Sequence, residues 1–436
     1  MTVSADAAAE VIDGLSLKQR LAKAERRNKF RAFMLVVPLL AFIGFSFIAP
    51  ICFMMVRSFY DPLVSDVYPE TVRALGEWDP ALGKLPADST FEIMAKEAAT
   101  AYKNRDLGRI ATRLNFDLSG MRSLNMKTGR GINKLERKNT VPDNWRETLV
   151  KLDKRWGELK YWATIKHAGE RITPSFYLKA LDLEFDTAKN IVPVSSGKQL
   201  YLLLGWGDDE ASPMDSVWMR TLWISFMVTA LCVLLGYPVA HLLANLPARI
   251  SNLLMILVLL PFWTSLLVRT TAWIVVLQTE GVLNDVMMFF GVIDERIQLI
   301  FNRFGVVVAM THILLPFMIL PIYSVMKNIP PSYERAARSL GATPWTAFWK
   351  VYFPQSLPGI GAGGLLVFIL ALGYYITPAL VGGPTDQMVS YFIADHTNRS
   401  LNWGLASALG GLLLASVLVV YIIYDRLVGI DNMKLG

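Results

Sequence analysis

Charged side chains are scarce in this sequence. They make up 18% of its 436 residues, against about 25% in an ordinary soluble chain, and the shortage is concentrated. No Asp, Glu, Lys or Arg occurs between Arg31 and Arg57, Arg220 and Arg249, Arg303 and Lys327, Lys350 and Asp386, or Arg399 and Asp425. A sixth stretch, Ile250 to Gln278, carries only Arg269. A helix crossing the roughly 30 Å apolar layer of a bilayer needs about 20 apolar residues, so each stretch is a candidate span. One such run fits a buried helix of a large soluble core; six argue against a soluble protein.

Other absences narrow the chemistry. There is no Gly-x-x-x-x-Gly-Lys-Ser/Thr phosphate loop, so the chain is expected to bind no ATP itself. The histidines His167, His241, His312 and His396 stand far apart, with no His/Cys cluster at metal-ligand spacing; each reads as structural, and no metal is expected. No nucleophile motif stands out, so no catalytic residue is expected. Cys52 and Cys232 both lie in apolar runs and read as small packing residues, not as a disulfide. No repeat or low-complexity tract is evident. The first apolar run is too long for a signal-peptide core and lacks a small-residue cleavage pattern, so it reads as a span.

The formal charge of +7 would suit nucleic acid, but its location does not. Before the first run stand Lys18, Arg20, Lys23, Arg26, Arg27, Lys29 and Arg31 against Asp6, Glu10, Asp13 and Glu25, whereas Asp61 to Asp215 balances 23 basic with 23 acidic residues. The excess therefore flanks the membrane, and no nucleic-acid partner is expected. Basic residues beside short loops mark the cytoplasmic side. The loop after the third run (Glu280, Asp285, Asp294 and Glu295 against Arg296 and Arg303) is net acidic. The loop after the fourth (Lys327, Arg335, Arg338 and Lys350 against Glu334) is net basic. Both termini are thus expected in the cytoplasm.

The expected organisation is all-α and polytopic. Residues 1–31 form a basic cytoplasmic tail, in which Glu10 to Arg31, with Val11, Leu15 and Leu21 on one side, reads as a surface helix or, preferably, a simple topology signal. Residues 32–57 form the first transmembrane helix and 58–215 a large helical extracytoplasmic insertion. Residues 216–428 form a core of five further helices, and 429–436 a cytoplasmic end. The later spans are expected at Thr221–Ala244, Leu253–Leu277, Val306–Val325, Leu357–Leu380 and Leu405–Tyr424. Within the insertion, Trp145, Leu149, Leu152, Trp156 and Leu159 recur at steps of four, three, four and three, predicting one amphipathic helix from Asp143. Phe91 to Leu107 is a second helical candidate. Gly359 and Gly363 allow close helix packing within the chain.

The most informative segment is 328–356. Tyr333-Glu334-Arg335-Ala336-Ala337-Arg338-Ser339-Leu340-Gly341 leads on to Val351-Tyr352-Phe353-Pro354. Ala336 and Ala337 keep a helical face low enough for close approach, Gly341 can take the positive φ that stops a helix, and Pro354 marks the start of the fifth span. This segment resembles the "EAA" loop of the permease family of ATP-binding-cassette importers: Glu-Ala-Ala, three residues, Gly, nine residues, then Ile-x-Leu-Pro. Ala336, Ala337, Gly341 and Pro354 match at the family's spacing; Val351 and Phe353 are conservative replacements. Arg335 stands where Glu is expected, with Glu334 one residue earlier. The resemblance implies the six-helix fold of type I importer permeases, with this loop as a coupling helix seated in a cytoplasmic ABC ATPase dimer. It further implies a second permease subunit, homologous or identical, and a periplasmic solute-binding protein, with ATP and Mg held by the ATPase and no cofactor on this chain.

Two further segments are similar to the spermidine/putrescine branch: Pro261-Phe262-Trp263-Thr264-Ser265-Leu266-Leu267-Val268-Arg269 with Ala272-Trp273, and Gly373-Tyr374-Tyr375-Ile376-Thr377-Pro378-Ala379-Leu380-Val381-Gly382-Gly383. Trp263, Thr264, Arg269, Trp273, Tyr374, Tyr375 and Thr377 are the expected pathway residues. Aromatic rings suit a cationic amine, whereas Arg269 does not; it is either a functional intramembrane cation or a side chain snorkelling outward. Acids near the outer mouth (Glu280, Asp285, Asp386, Asp395) would attract a cation, or are solvated loop charges. The resulting expectation is a multi-pass inner-membrane permease for a polyamine or related small solute. A receptor with an external sensing domain leaves the spaced loop without a role. A secondary transporter lacks an intramembrane carboxylate for its coupling ion.

Overall fold

The computed structural model describes residues 17–186, 190–193 and 216–428. The chain divides into two units, residues 1–57 and 58–436. Among the described residues, six helical segments are long and apolar enough to cross a membrane: Glu25–Arg57, Val217–Asn245, Leu266–Phe289 (helices Leu266–Leu277 and Val282–Phe289 in succession), Arg303–Lys327, Pro344–Leu372 and Trp403–Arg426. Val11 and Leu15 of the expected tail helix lie outside the described residues.

In the first unit, helices Leu17–Ile43 and Ala49–Arg57 join through a π-helical turn, Gly44–Ile48. The turn has a local cause. Pro50 has no N–H, and its ring crowds the carbonyl four residues back. The ladder widens just before it, so that Ala49 N–H donates to the Gly44 carbonyl. The fifth span repeats the device: π turn Phe348–Tyr352, then Phe353 N–H to the Phe348 carbonyl, then Pro354. Pro354 therefore does not start this span, whose helix is continuous from Pro344.

Two expected boundaries are corrected. Leu253–Leu277 is not one helix: Ala248–Leu259 gives way to a 3-10 turn, Leu260–Trp263, and a new helix, Leu266–Leu277. Pro261 disrupts the ladder, Thr264 is extended, and the Ser265 hydroxyl caps the new helix by accepting from Val268 N–H at 3.2 Å. The fifth helix ends at Leu372, not Leu380, and a short helix, Ile376–Val381, follows. A continuous helix would drive the Pro378 ring into the Tyr374 carbonyl.

Spans Val217–Asn245, Arg303–Lys327 and Pro344–Leu372 form the centre of the second unit. They bury Ile224, Val228, Met310, Leu314, Met318 and Val367 against one another. Their approach depends on missing side chains: a Cβ on Gly363 would lie 2.9 Å from Met318 Sδ and 3.1 Å from its carbonyl oxygen. Gly359 meets Ile322 and Pro321 in the same way. Both glycines thus serve packing within the chain. Cys232 is buried here and both cysteines are free.

Residues 58–180 form a helical domain. Its two ends are tied together: Asp61 N–H donates to Arg171 O and Thr173 N–H to Phe59 O, both at 2.9 Å. Helices Asp88–Lys103, Leu107–Asp117, Met121–Arg137 and Leu159–Ala168 enclose Phe91, Met94, Leu114, Leu124, Trp156 and Trp162. The stripe from Trp145 to Leu159 is buried in part, as at Leu149 and Trp156, but it is not one helix. Trp145–Leu152 ends at Asp153, a 3-10 turn Lys154–Gly157 follows, and Leu159–Ala168 begins afresh. The Asp153 carboxylate, held by Arg155 and Lys127, caps that turn, and Asn144, not Asp143, caps the helix start. A guanidinium is also buried here: Arg113 pairs with Asp61 and with Asp117, and Lys179 reaches Asp117. Two short antiparallel strands, Leu183–Phe185 and Ile191–Pro193, pair Leu183 with Pro193 and Phe185 with Ile191.

This domain is seated on the sixth span. Phe176 and Ala180, from helix Ser175–Ala180, share a core with Val217, Val389, Leu405, Ala408 and Leu409.

Candidate functional site

Residues 328–356 fold as two helices around a left-handed glycine. Pro331 opens the helix Pro331–Ser339, where its missing N–H costs nothing. At the other end Gly341 has φ +92°. Its N–H donates to Arg338 O at 3.0 Å, and Ala342 N–H to Ala337 O at 3.1 Å. This pair of bonds is the Schellman closure, which needs a residue without a Cβ penalty at Gly341. Thr343 then caps the next helix, accepting from Thr346 N–H at 3.2 Å, and the chain enters the fifth span.

The short helix has two distinct sides. Glu334 and Ala337 are half-buried, whereas Arg335, Ala336, Arg338, Ser339, Leu340 and Gly341 are exposed. Glu334 accepts from Arg338 at 2.5 Å. It lines a cavity of about 180 Å³ with Asn245, Lys327, Tyr352 and Gln355 from the adjoining spans. Arg335 bonds within its own helix, to the Pro331 carbonyl 3.4 Å away. Leu340 is 90% and Trp345 71% exposed. Side by side in sequence, Glu334 faces the bundle and Arg335 faces away from it. Pro354 is exposed on the helix that continues into the fifth span.

A second cluster lies within the bundle. Arg269 and Trp273, one turn apart on Leu266–Leu277, meet His312 on Arg303–Lys327 and Tyr374 and Thr377 after the fifth span. Trp273 Nε1–H donates to His312 Nδ1 at 3.1 Å, with the rings edge to face at 5.4 Å. Arg269 lies within electrostatic reach of both His312 and the Tyr374 phenol. Its Nε is buried and, among the described residues, has no hydrogen-bond partner. Thr377 is buried, and its hydroxyl lies 3.2 Å from that of Thr270. Four of the expected pathway residues (Arg269, Trp273, Tyr374, Thr377) therefore converge. Tyr375 stands beside Tyr374 at 40% exposure. Trp263 and Thr264 sit instead at the helix break: the Trp263 ring is 74% exposed, and the Thr264 hydroxyl donates to the Pro261 carbonyl at 2.9 Å.

His312, a structural histidine by its sequence position, is exposed, between buried Thr311 and Ile313. The signal that marks it is an ionisable side chain far from either end of an apolar run. Of the expected outer acids, Asp386 is buried and paired with Arg303 at 3.2 Å, and Asp285 pairs with Arg296 at 2.8 Å. Among the described residues no group of His, Cys, Asp and Glu is arranged to hold a metal.

Comparison with known proteins places these features in a family. Residues 233–429 match the family described as binding-protein-dependent transport system inner membrane component. The spermidine/putrescine transport system permease protein PotB of Salmonella typhimurium is 34% identical over 220 residues, covering 50% of this chain and 77% of that protein. PotB of Escherichia coli is 33% identical over 218 residues (50% and 79%), and PotB of Haemophilus influenzae 35% over 209 residues (48% and 73%). The family match starts at residue 233, so the helical domain 58–180 lies outside it. With six apolar helices and relatives of this identity and coverage, the chain belongs to the family of binding-protein-dependent transport system inner membrane components, as a multi-pass permease subunit of an ABC importer.

Proposed function

We propose that this permease carries a polyamine or a related small organic solute, and that helix Pro331–Ser339 couples it to its ATPase. The observation that carries the coupling reading is the Schellman-closed helix, which presents Arg335, Ala336 and Leu340 outward from the end of the bundle. A surface of small residues, one exposed leucine and an exposed guanidinium suits a groove on another protein better than open water. Charge asymmetry supports a cytoplasmic place for it: the 328–356 segment is basic and the loop after the third span acidic. By the same rule both termini are cytoplasmic and the insertion 58–215 is extracytoplasmic.

In this reading the partners are a cytoplasmic ABC ATPase dimer, a second permease subunit, homologous or identical, and a periplasmic solute-binding protein. ATP and Mg are bound by the ATPases, and this chain contributes no cofactor site. Closure of the ATPases on ATP draws the coupling helices together and shifts the spans from inward-facing to outward-facing. The ATPase does this through its differential affinity for the two states. Because Glu334 is turned inward, Arg335 makes the polar contact, with Ala336, Ala337 and Gly341 acting through shape and Pro354 through the π turn before it.

The relatives' names support polyamine cargo, and so do the rings of Trp273 and Tyr374 in the cluster around Arg269. The test is spermidine and putrescine uptake by the chain reconstituted with its ATPase and binding protein. ATP-dependent uptake is expected, and it is lost with ATPase stimulation in Gly341→Pro. Full coupling in a normally expressed Gly341→Pro would sink the coupling role; uptake of neither polyamine would sink the cargo.

A further inference from the structure

His312 is the tenth residue of Arg303–Lys327, about 14 Å along the helix at ~1.5 Å per residue. It therefore stands well inside the span. Its neighbours Thr311 and Ile313 are buried while its own ring is open. An indole N–H can only donate, so the bond from Trp273 makes Nδ1 the acceptor and places the ring proton on Nε2. Arg269 adds a cation beside it. Lipid is a poor neighbour for such a group. Polar groups in hydrocarbon cost several kcal/mol when unsatisfied, and ionisable side chains within spans face a water-filled cavity or the interior of an assembly.

We propose that His312 lines the water-filled solute route and selects the solute there, with Trp273 positioning its ring. The inference rests on the polyamine reading above and adds a residue and a mode of selection to it. The solute class is a flexible chain bearing ammonium groups. The His312, Trp273 and Tyr374 rings offer π faces, and the phenol offers a lone pair, to a passing ammonium. No Asp or Glu occurs in residues 216–279, 303–333 or 335–385, so nothing in these segments holds a polycation tightly. Arg269 opposes its retention. Weak contacts of this kind suit passage, which requires that a solute leave as readily as it arrives.

The test uses the assembled transporter with Cys52→Ser, which removes the exposed cysteine and leaves the buried Cys232. In that background His312→Cys is expected to react with a small charged methanethiosulfonate reagent. Its rate should change about fivefold or more between the nucleotide-free and vanadate-trapped states, while Leu234→Cys, on an exposed apolar face of the second span, stays unreacted. Tyr375→Cys, at an exposed position beside Tyr374, gives an independent reading should His312→Cys fail to assemble. His312→Leu is expected to lower Vmax for spermidine about tenfold with KM within about twofold of wild type, and to change the spermidine-to-putrescine ratio. Trp273→Phe, which keeps a ring but removes the donor, should move uptake in the same direction, and His312→Asn should restore part of it. Unreactive cysteines at both positions overturn the inference, because lipid or a second subunit then covers this face. Reactive cysteines with unchanged rates and ratio in His312→Leu overturn the selecting role. Reactive cysteines in a transporter whose wild-type form takes up neither polyamine keep the water-facing site and overturn its assignment to polyamines.

Discussion

The ring of Phe176 fills the space that a side chain at Gly404 would need: a Cβ there would lie 2.3 Å from Phe176 Cε2 and Cζ. Arg113, the buried guanidinium of the helical domain, lies over the same ring, its Cζ 4.8 Å from the centroid. A residue outside the family match is thus fitted between the ionic centre of its own domain and the start of the sixth span. Phe176→Ala is expected to cost about 3–5 kcal/mol locally. Amide hydrogen exchange should then quicken in both Ser175–Ala180 and the first turns of Trp403–Arg426. Faster exchange in the domain alone would show that the two are not coupled.

Asp117 gives the domain an acid limit. Burial alone would raise its pKa, but Arg113 and Lys179 beside it bring it down to about 2 from the ordinary 3.8. A carboxyl with a depressed folded-state pKa contributes stability that is complete above about pH 4, fades as the pH falls, and is gone below about pH 2. Asp117→Asn should therefore destabilise the domain at neutral pH by about 3 kcal/mol, as expected when one partner leaves a buried pair. It should also flatten the stability profile between those two pH values. Melting of the full chain in detergent, followed through the domain's tryptophans, checks both.

Gly363 and Gly364 are adjacent, with opposite tolerances. Gly363→Leu drives a side chain into Met318 and should cost about 1–3 kcal/mol or more. A Cβ at Gly364 meets nothing nearer than Thr229 Cγ2 at 4.0 Å, so Gly364→Ala should be accepted. Yield and melting temperature of the two variants after purification decide it; equal behaviour would contradict the packing of the fourth and fifth spans.

Gly341→Ala places a side chain at φ +92°, a strain of about 1–2 kcal/mol. It should weaken but not abolish solute-stimulated ATPase activity. Gly341→Pro also removes the N–H that closes the helix and should abolish it. Activity in the order wild type, Ala, Pro is the expected result.

Glu334 and Arg335 should separate in a charge-swap experiment. Glu334→Gln removes a half-exposed ion pair worth about 0.3–0.5 kcal/mol and should leave ATPase stimulation near wild type. Arg335→Glu reverses the charge of the proposed polar contact and should lower stimulation about tenfold or more. The opposite ranking would mean that Glu334 turns outward in the complex.

Much of this molecule is legible in its sequence, for physical reasons that differ by feature. Spans are legible because a bilayer tolerates so few charges: six runs nearly free of Asp, Glu, Lys and Arg can be read by composition alone. The helix stop at Gly341 is equally local, since backbone sterics decide it within a few residues. Proline effects are local too, but their extent depends on the backbone around each ring. Pro261 and Pro378 break helices that hydropathy alone runs together, while Pro354 is absorbed by a π turn. The stripe from Trp145 to Leu159 has the right burial and the wrong continuity, because Asp153 finds Arg155 and Lys127 and ends the helix there.

Composition and spacing by themselves determined the class: an all-α chain of six apolar helices with a spaced loop between the fourth and fifth. Only the tertiary structure decided which neighbours in sequence face opposite ways, as Glu334 and Arg335 do. Only it joined Trp273 to His312 across 39 residues and set Phe176 against Gly404. Charge scarcity and glycine sterics act over a few residues and leave their mark in sequence order. A hydrogen bond or a packed ring joins residues distant in the chain, and no periodicity records which partner each will meet.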